Sequence, residues 1–77
     1  MTSKMSLETQ DIVLAAALKV LGYRLDHIAK IGNKGIFHFS NVEESTINDY
    51  DLGNLSVEPV AFNSAIKALT TASRRIL

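Results

Sequence analysis

Ten residues, Ile12-Val13-Leu14-Ala15-Ala16-Ala17-Leu18-Lys19-Val20-Leu21, contain a single charge and run straight into Gly22. A helix of that composition has almost no polar face to turn to water. In a chain of 77 residues it has two options. It can be the central element of the core, enclosed on more than one side, or it can keep an apolar stripe for a partner. A small domain has room for one central helix, so the sequence predicts enclosure. Thr9 is placed to act as N-cap, Asp11 falls in the first turn, where the helix dipole favours an anion, and Gly22 offers a left-handed stop. The run is too short to span a bilayer and follows Glu8 and Asp11 rather than a basic flank. No membrane association is therefore expected, and the protein is expected in the cytoplasm.

Beyond Gly22 the apolar period changes from helical to two. Tyr23, Leu25, His27, Ala29 and Ile31 alternate with Arg24, Asp26, Ile28 and Lys30, the pattern of a half-buried strand. Gly32-Asn33-Lys34-Gly35 turns the chain into Ile36-Phe37-His38-Phe39-Ser40. A two-residue loop at Asn33-Lys34 would set both phenylalanines on the charged face. A three-residue loop with Gly35 left-handed, as a bulge, places Leu25, Ala29, Ile31, Phe37 and Phe39 together, with Ile31 facing Phe37 and Ala29 facing Phe39. That second register is the predicted one.

Ser40 with Glu43, or Asn41 with Glu44, has the spacing of a capping box. It predicts a short helix through Val42, Thr46, Ile47 and Tyr50 that ends near Asp51 or Gly53. Leu55-Ser56-Val57 is expected to form a brief third strand. Pro59 suits the first position of a last helix, in which Phe62, Ala65, Ile66, Leu69, Ala72 and Ile76 recur at three- and four-residue steps. The expected fold is α+β: N-terminal helix, antiparallel hairpin, short helix, short strand, C-terminal amphipathic helix. Residues 1–6 are read as a flexible start and residues 7–77 as one small domain.

Candidate chemistry is sparse. Asn33-Lys34-Gly35-Ile36-Phe37-His38-Phe39 has the flavour of an RNA-stacking strand, a basic residue and glycine before aromatics. The outward positions of such a platform, however, fall on Ile36 and His38, while both rings take the alternate face. The stretch therefore reads as a hairpin strand with its phenylalanines inside. His38 lies opposite Phe37, and His27 shares the Leu25 face. Ser40, Asp26 and Ser56 are not spaced to join either histidine in a catalytic constellation. The chain has no cysteine, which removes thiolate chemistry and Cys-ligated zinc. Two histidines without helical i, i+4 spacing do not suggest a metal site. Gly32 and Gly35 sit in a hairpin and not at a helix N-terminus, so no phosphate loop is read. Neither an enzymatic activity nor a cofactor is expected.

Charge is informative in its distribution. The formal net charge is zero. Between Val42 and Glu58 stand five acids, Glu43, Glu44, Asp49, Asp51 and Glu58, and no lysine or arginine. From Pro59 onward stand Lys67, Arg74 and Arg75 and no acid. Helix dipoles account for much of that arrangement. The residues singled out for contact with a partner or nucleic acid are Lys34, His38, Lys67, Arg74 and Arg75.

Thr9-x-Asp11-x-x-Leu14-Ala15-Ala16-x-Leu18-x-x-x-Gly22-Tyr23-x-Leu25 resembles the opening of a family of small domains without an assigned activity. These are encoded in prokaryotic genomes, often in phages or other mobile elements. Phe37-x-Phe39 is similar to the family's second hairpin strand. Tyr50-x-x-Gly53, Val57-x-Pro59 and Phe62 are similar to its return into the last helix. The resemblance spans about Leu7 to Leu77 and implies context, a small accessory protein, with no catalytic residues to transfer. The polar stretch Glu43 to Asp49 departs from the pattern. The sequence admits two functions: a non-enzymatic module that binds a protein partner or forms a homo-oligomer, and a small nucleic-acid-binding regulator using the basic end of the last helix.

Overall fold

A computed structural model describes residues 4–76 of the chain. The elements are β1 (Lys4–Thr9), α1 (Ile12–Val20), β2 (Leu25–Ile31), β3 (Lys34–Glu43), α2 (Glu44–Asp51) and α3 (Pro59–Ile76). The α+β class is as the sequence indicates, but the order begins with a strand. Lys4, Met5 and Ser6, read as part of a flexible start, belong to β1. Residues 1–3 and the side chains of the apolar Ile76-Leu77 tail lie outside the described set. The third strand is therefore β1, and residues 54–58, which include Leu55-Ser56-Val57, form no regular element.

The sheet order is β1-β3-β2, with β3 antiparallel to both neighbours. β1 and β2 consequently run parallel, joined through α1 and split by β3, which makes a split βαβ unit. Among the described residues no helix is long and apolar enough to cross a membrane.

α1 is enclosed. Leu14, Ala15, Ala16, Ala17 and Leu18 are all buried, and five consecutive residues at about 100° intervals cover the whole circumference of a helix. The three alanines allow neighbours to approach closely, and α3 makes the most extensive contact with α1. Phe37, Phe39 and Val42 of β3 and Leu69 of α3 complete the core cluster. The N-cap is Asp11 and not Thr9: its side chain accepts from the Val13 N–H at 2.9 Å, while Thr9 Oγ1 accepts from the Asp11 N–H at 3.0 Å. The carboxylate wins because it also satisfies a free N–H in the first turn. At the other end Gly22 is left-handed, φ 97°. The Tyr23 N–H donates to Leu18 O and the Gly22 N–H to Lys19 O, the paired bonds of a Schellman motif.

Two registers depart from the sequence reading. Ile31 pairs with Lys34, so the loop is the two residues Gly32-Asn33. Gly32 has φ 62° and Asn33 is not left-handed, the pattern of a type II′ turn, whose twist suits a hairpin. Gly35 pairs with Lys30 instead of serving as a bulge. Phe37 faces Ile28 and not Ile31, and Ala29 faces Ile36 and not Phe39. Both phenylalanines are nevertheless inside, at 3% and 1% exposure.

The second departure is at Ser40-Asn41-Val42-Glu43, which continues β3 and forms no capping box. Between the pairs Leu7 with Phe39 and Met5 with Val42, β3 carries one residue more than β1. Asn41 absorbs the extra residue with φ 57°, a conformation that asparagine tolerates better than most side chains. Without this bulge position 41 would share the Phe39 face. With it Val42 does, and Val42 is fully buried. α2 then begins at Glu44 with no side-chain cap bond and ends at Asp51, one of the two expected stops, ahead of the left-handed Gly53. α3 starts at Pro59, and the Glu58 carboxylate accepts from the Ala61 N–H.

Enclosure of α1 sets a stability prediction. Ala16→Leu adds volume where no space exists and should cost about 1–3 kcal/mol, whereas Val13→Leu, at a 45% exposed position, should change stability by less than about 0.5 kcal/mol. Chemical denaturation of the two variants checks the contrast.

Candidate interaction surface

α1 and α3 pack on the side of the sheet that holds Phe37 and Phe39, so the side chains that alternate with these rings stand on the opposite, open face. A bulge decides who they are. From Leu25 with Phe39 to His27 with His38, β2 advances two residues while β3 advances one. Asp26 is the extra residue. It lets Leu25 and Ile28, three residues apart, both turn to the core, and it sends His27 to the other side. His27 therefore does not share the Leu25 face, as regular alternation suggests, but stands beside His38.

Their rings are stacked, with centroids 4.1 Å apart and planes at 16°. Across β3, His38 Nδ1 lies 3.6 Å from Glu8 Oε1. Glu8, His38 and His27 thus form a row that crosses all three strands. With the Glu8 side chain 68% exposed, an ion pair there contributes little to stability, so the row is best regarded as surface chemistry. Next to it lie the half-buried Ala29 and, at 65% exposure, Ile31, whereas Ile36 on the same side of β3 is buried at 6% exposure. Among the described residues no group of three or more His, Asp or Glu is placed to hold a metal ion.

The other residues singled out by sequence separate into two places. Lys34 closes the hairpin loop on the open face. Gly35, its neighbour, lies against α3 so closely that a Cβ there would stand 2.7 Å from Ser73 Oγ. That approach brings the C-terminal turn of α3, with Arg74 and Arg75, to the hairpin end that carries Lys30 and Lys34. All four cations are exposed. Lys67 is exposed as well, but it stands about two turns earlier on α3, some 10 Å along the axis, and is not part of this group. Glu43, Glu44, Asp49 and Asp51 gather around α2, at the far end of β3. β3 spans about 30 Å, so a chain of zero net charge has a basic end and an acidic end.

Two tyrosines hold the acidic helix against α1. The Tyr50 hydroxyl donates to Asp11 Oδ2 at 2.7 Å, and the Tyr23 and Thr46 hydroxyls bond at 2.8 Å. Asp11 precedes α1 and Tyr23 follows it, so α2 is fastened at both ends of the central helix. The Tyr50 phenol is pushed up to about 12, first by its hydrogen bond to the Asp11 carboxylate, then by burial and by the negative charges of Asp11 and Asp51.

Sequence reasoning missed Glu8 and placed His27 on the Leu25 face, away from His38. A signal for Glu8 existed: Lys4-Met5-Ser6-Leu7-Glu8 alternates polar and apolar residues, the period of a strand. His27 had none, because the bulge at Asp26 leaves no mark in local alternation.

No family model matches the chain. Comparison with curated proteins and with solved structures likewise finds no match.

The tyrosine fastening is testable by pH. Because the folded Tyr50 value, about 12, lies above the ordinary 10.0, its stabilisation is complete below about pH 10 and disappears as pH rises through 12. Ultraviolet titration of the folded protein should show a phenolate transition near pH 12 that Tyr50→Phe removes. The same substitution should cost about 0.5–1.5 kcal/mol at neutral pH.

Proposed function

We propose that this chain is a small non-enzymatic interaction module that binds a protein partner or a second copy of itself. The observation that supports this best is the one-sided sheet. Both long helices pack on the Phe37 and Phe39 side, while the open face presents Glu8, His38 and His27 in a row beside the exposed Ile31. A face that mixes stacked rings, an exposed aliphatic side chain and a rim charge has the composition of a docking surface. The apolar helix that first suggested a partner is used up by the chain's own core, which moves the reading from α1 to the sheet. The resemblance of Thr9 to Leu25 and of the Phe37-x-Phe39 strand to small phage and mobile-element domains supports an accessory role of that origin, exercised in the cytoplasm.

A second reading has its own observation. The contact between Ser73 and Gly35 gathers Lys30, Lys34, Arg74 and Arg75, four cations at one end, suited to phosphates of a nucleic acid. The acidic α2 at the opposite end argues for the protein-binding reading over this one, since it would repel an extended polyanion.

Light scattering of the purified chain, with affinity capture from its host, separates the two. The module reading expects self-association or a stoichiometric captured protein, and a strict monomer that captures nothing rejects it. The nucleic-acid reading expects a mobility shift whose affinity falls with log salt at a slope no steeper than about −3.6 for four phosphate contacts. Replacing Arg74 and Arg75 together by alanine should flatten that slope by about half. No shift at low salt with either DNA or RNA removes this reading.

A further inference from the structure

The sheet order leaves β1 and β2 as edges, each with one side of its backbone unpaired within the sheet. The two edges differ. In β2 the extra residue Asp26 interrupts the ladder within the strand itself, which kinks the outward row of N–H and C=O groups and blunts it against pairing. In β1 the strand is unbroken from Lys4 to Thr9, because the extra residue opposite it belongs to β3. Lys4, Met5, Ser6 and Glu8 are all exposed. β1 is thus a free and regular template.

Its sequence is complementary to itself. Antiparallel pairing of two β1 strands about an axis through Ser6 sets Lys4 opposite Glu8 of the second copy, and Met5 opposite Leu7 of the second copy. Opposite charges meet on the open face, and nowhere do like charges meet. On the helix side Met5, 40% exposed, gains an apolar neighbour in Leu7, which already packs on the core. β2 also carries an opposite pair, Asp26 and Lys30, but Asp26 is its bulged residue.

We propose that two copies of this chain join through β1, antiparallel about Ser6, into one six-stranded sheet of order β2-β3-β1-β1-β3-β2. The inference rests on the reading of the chain as a self-associating module and names the surface. The arrangement is isologous and closes as a dimer. It lengthens the polar row on the open face: Lys4 of the second copy joins Glu8, His38 and His27. Neither edge β1 remains free, and the two blunted β2 strands become the outer edges.

The chain has no cysteine, so Ser6→Cys puts a single thiol on the axis. Directly opposed residues of antiparallel strands have Cα atoms about 4.5–5.5 Å apart, within disulfide reach. Under mild oxidation the full chain with Ser6→Cys should form a covalent dimer, while Asn33→Cys, at the hairpin loop, should not. By sedimentation, Lys4→Glu and Glu8→Lys should each weaken self-association by at least about tenfold. An equimolar mixture of the two variants should restore it, because both charge pairs are then attractive. The mixture also shows that each variant is folded. Ser6→Cys cross-linking no better than Asn33→Cys, or indifference to both charge changes, overturns the β1 pairing. If the unmodified chain still self-associates in that case, the module reading stands. If it is monomeric and captures a host protein, the pairing falls and the module reading stands. If it is monomeric and captures nothing, both fall.

Discussion

Leu14 to Leu18 can all be buried only if α1 has neighbours on every side, and three elements meet that demand. The sheet lies against one side through Phe37, Phe39 and Val42, α3 against another through Leu69 and its half-buried companions, and α2 closes the remainder with Ile47 and Tyr50. The alanines matter as much as the leucines. Ala15 and Ala16 have no exposure at all, and a larger side chain at either would push the sheet or α3 away from the helix. Because Leu14 to Leu18, the middle of α1, give almost no surface to water, the helix's polar needs are confined to its ends. There, Asp11 and the Gly22-Tyr23 turn satisfy the backbone and also anchor α2 through the hydroxyls of Tyr50 and Thr46. The least apolar helix of the fold is thereby tied to the most apolar one.

Two bulges determine what the sheet shows to each side. The one at Asn41 keeps Val42 in the core, where simple alternation after Phe39 would have delivered position 41. The one at Asp26 keeps both Leu25 and Ile28 in the core and sends His27 out to stack on His38. In each case one inserted residue allows two apolar side chains to share a face at a spacing that regular pleating forbids. The open face is therefore a by-product of core packing as much as a designed surface, and its composition follows from where the extra residues fall.

The sequence was legible where a pattern is local and strong. The apolar run before Gly22 reveals an enclosed helix, and the three- and four-residue steps from Phe62 reveal the buried face of α3, with Leu69 at 3% exposure. Inward phenylalanines were also readable, although through a register that proved to be different. Illegible were features set by tertiary contact. The strand β1 is six residues long, only Met5 and Leu7 of them apolar, and it is held only because β3 offers it an edge. Ser40 to Glu43 imitates a capping box, but burial of Val42 outweighs the local hydrogen bonds a cap would give. Gly32 and Gly35 could each have taken the left-handed turn position. The close approach of Ser73 to Gly35 gives the second glycine another duty, to make room for α3.

Asp26 links these observations. By bulging, it serves the core through Leu25 and Ile28, shapes the open face through His27, and interrupts the β2 edge. No comparable interruption occurs within β1, although β1 pairs with the same central strand. A strand whose extra residue sits across the ladder keeps its own outward groups in register, and a strand that holds the extra residue itself does not. The placement of one residue in each ladder thus makes the two edges unequal. In a sheet of three strands an unequal pair of edges is a directional property: assembly can proceed from one side and stops at the other. A second copy meeting β1 would meet a continuous edge, and the resulting sheet would end on both sides in a blunted one, which favours a closed pair over an open chain of copies.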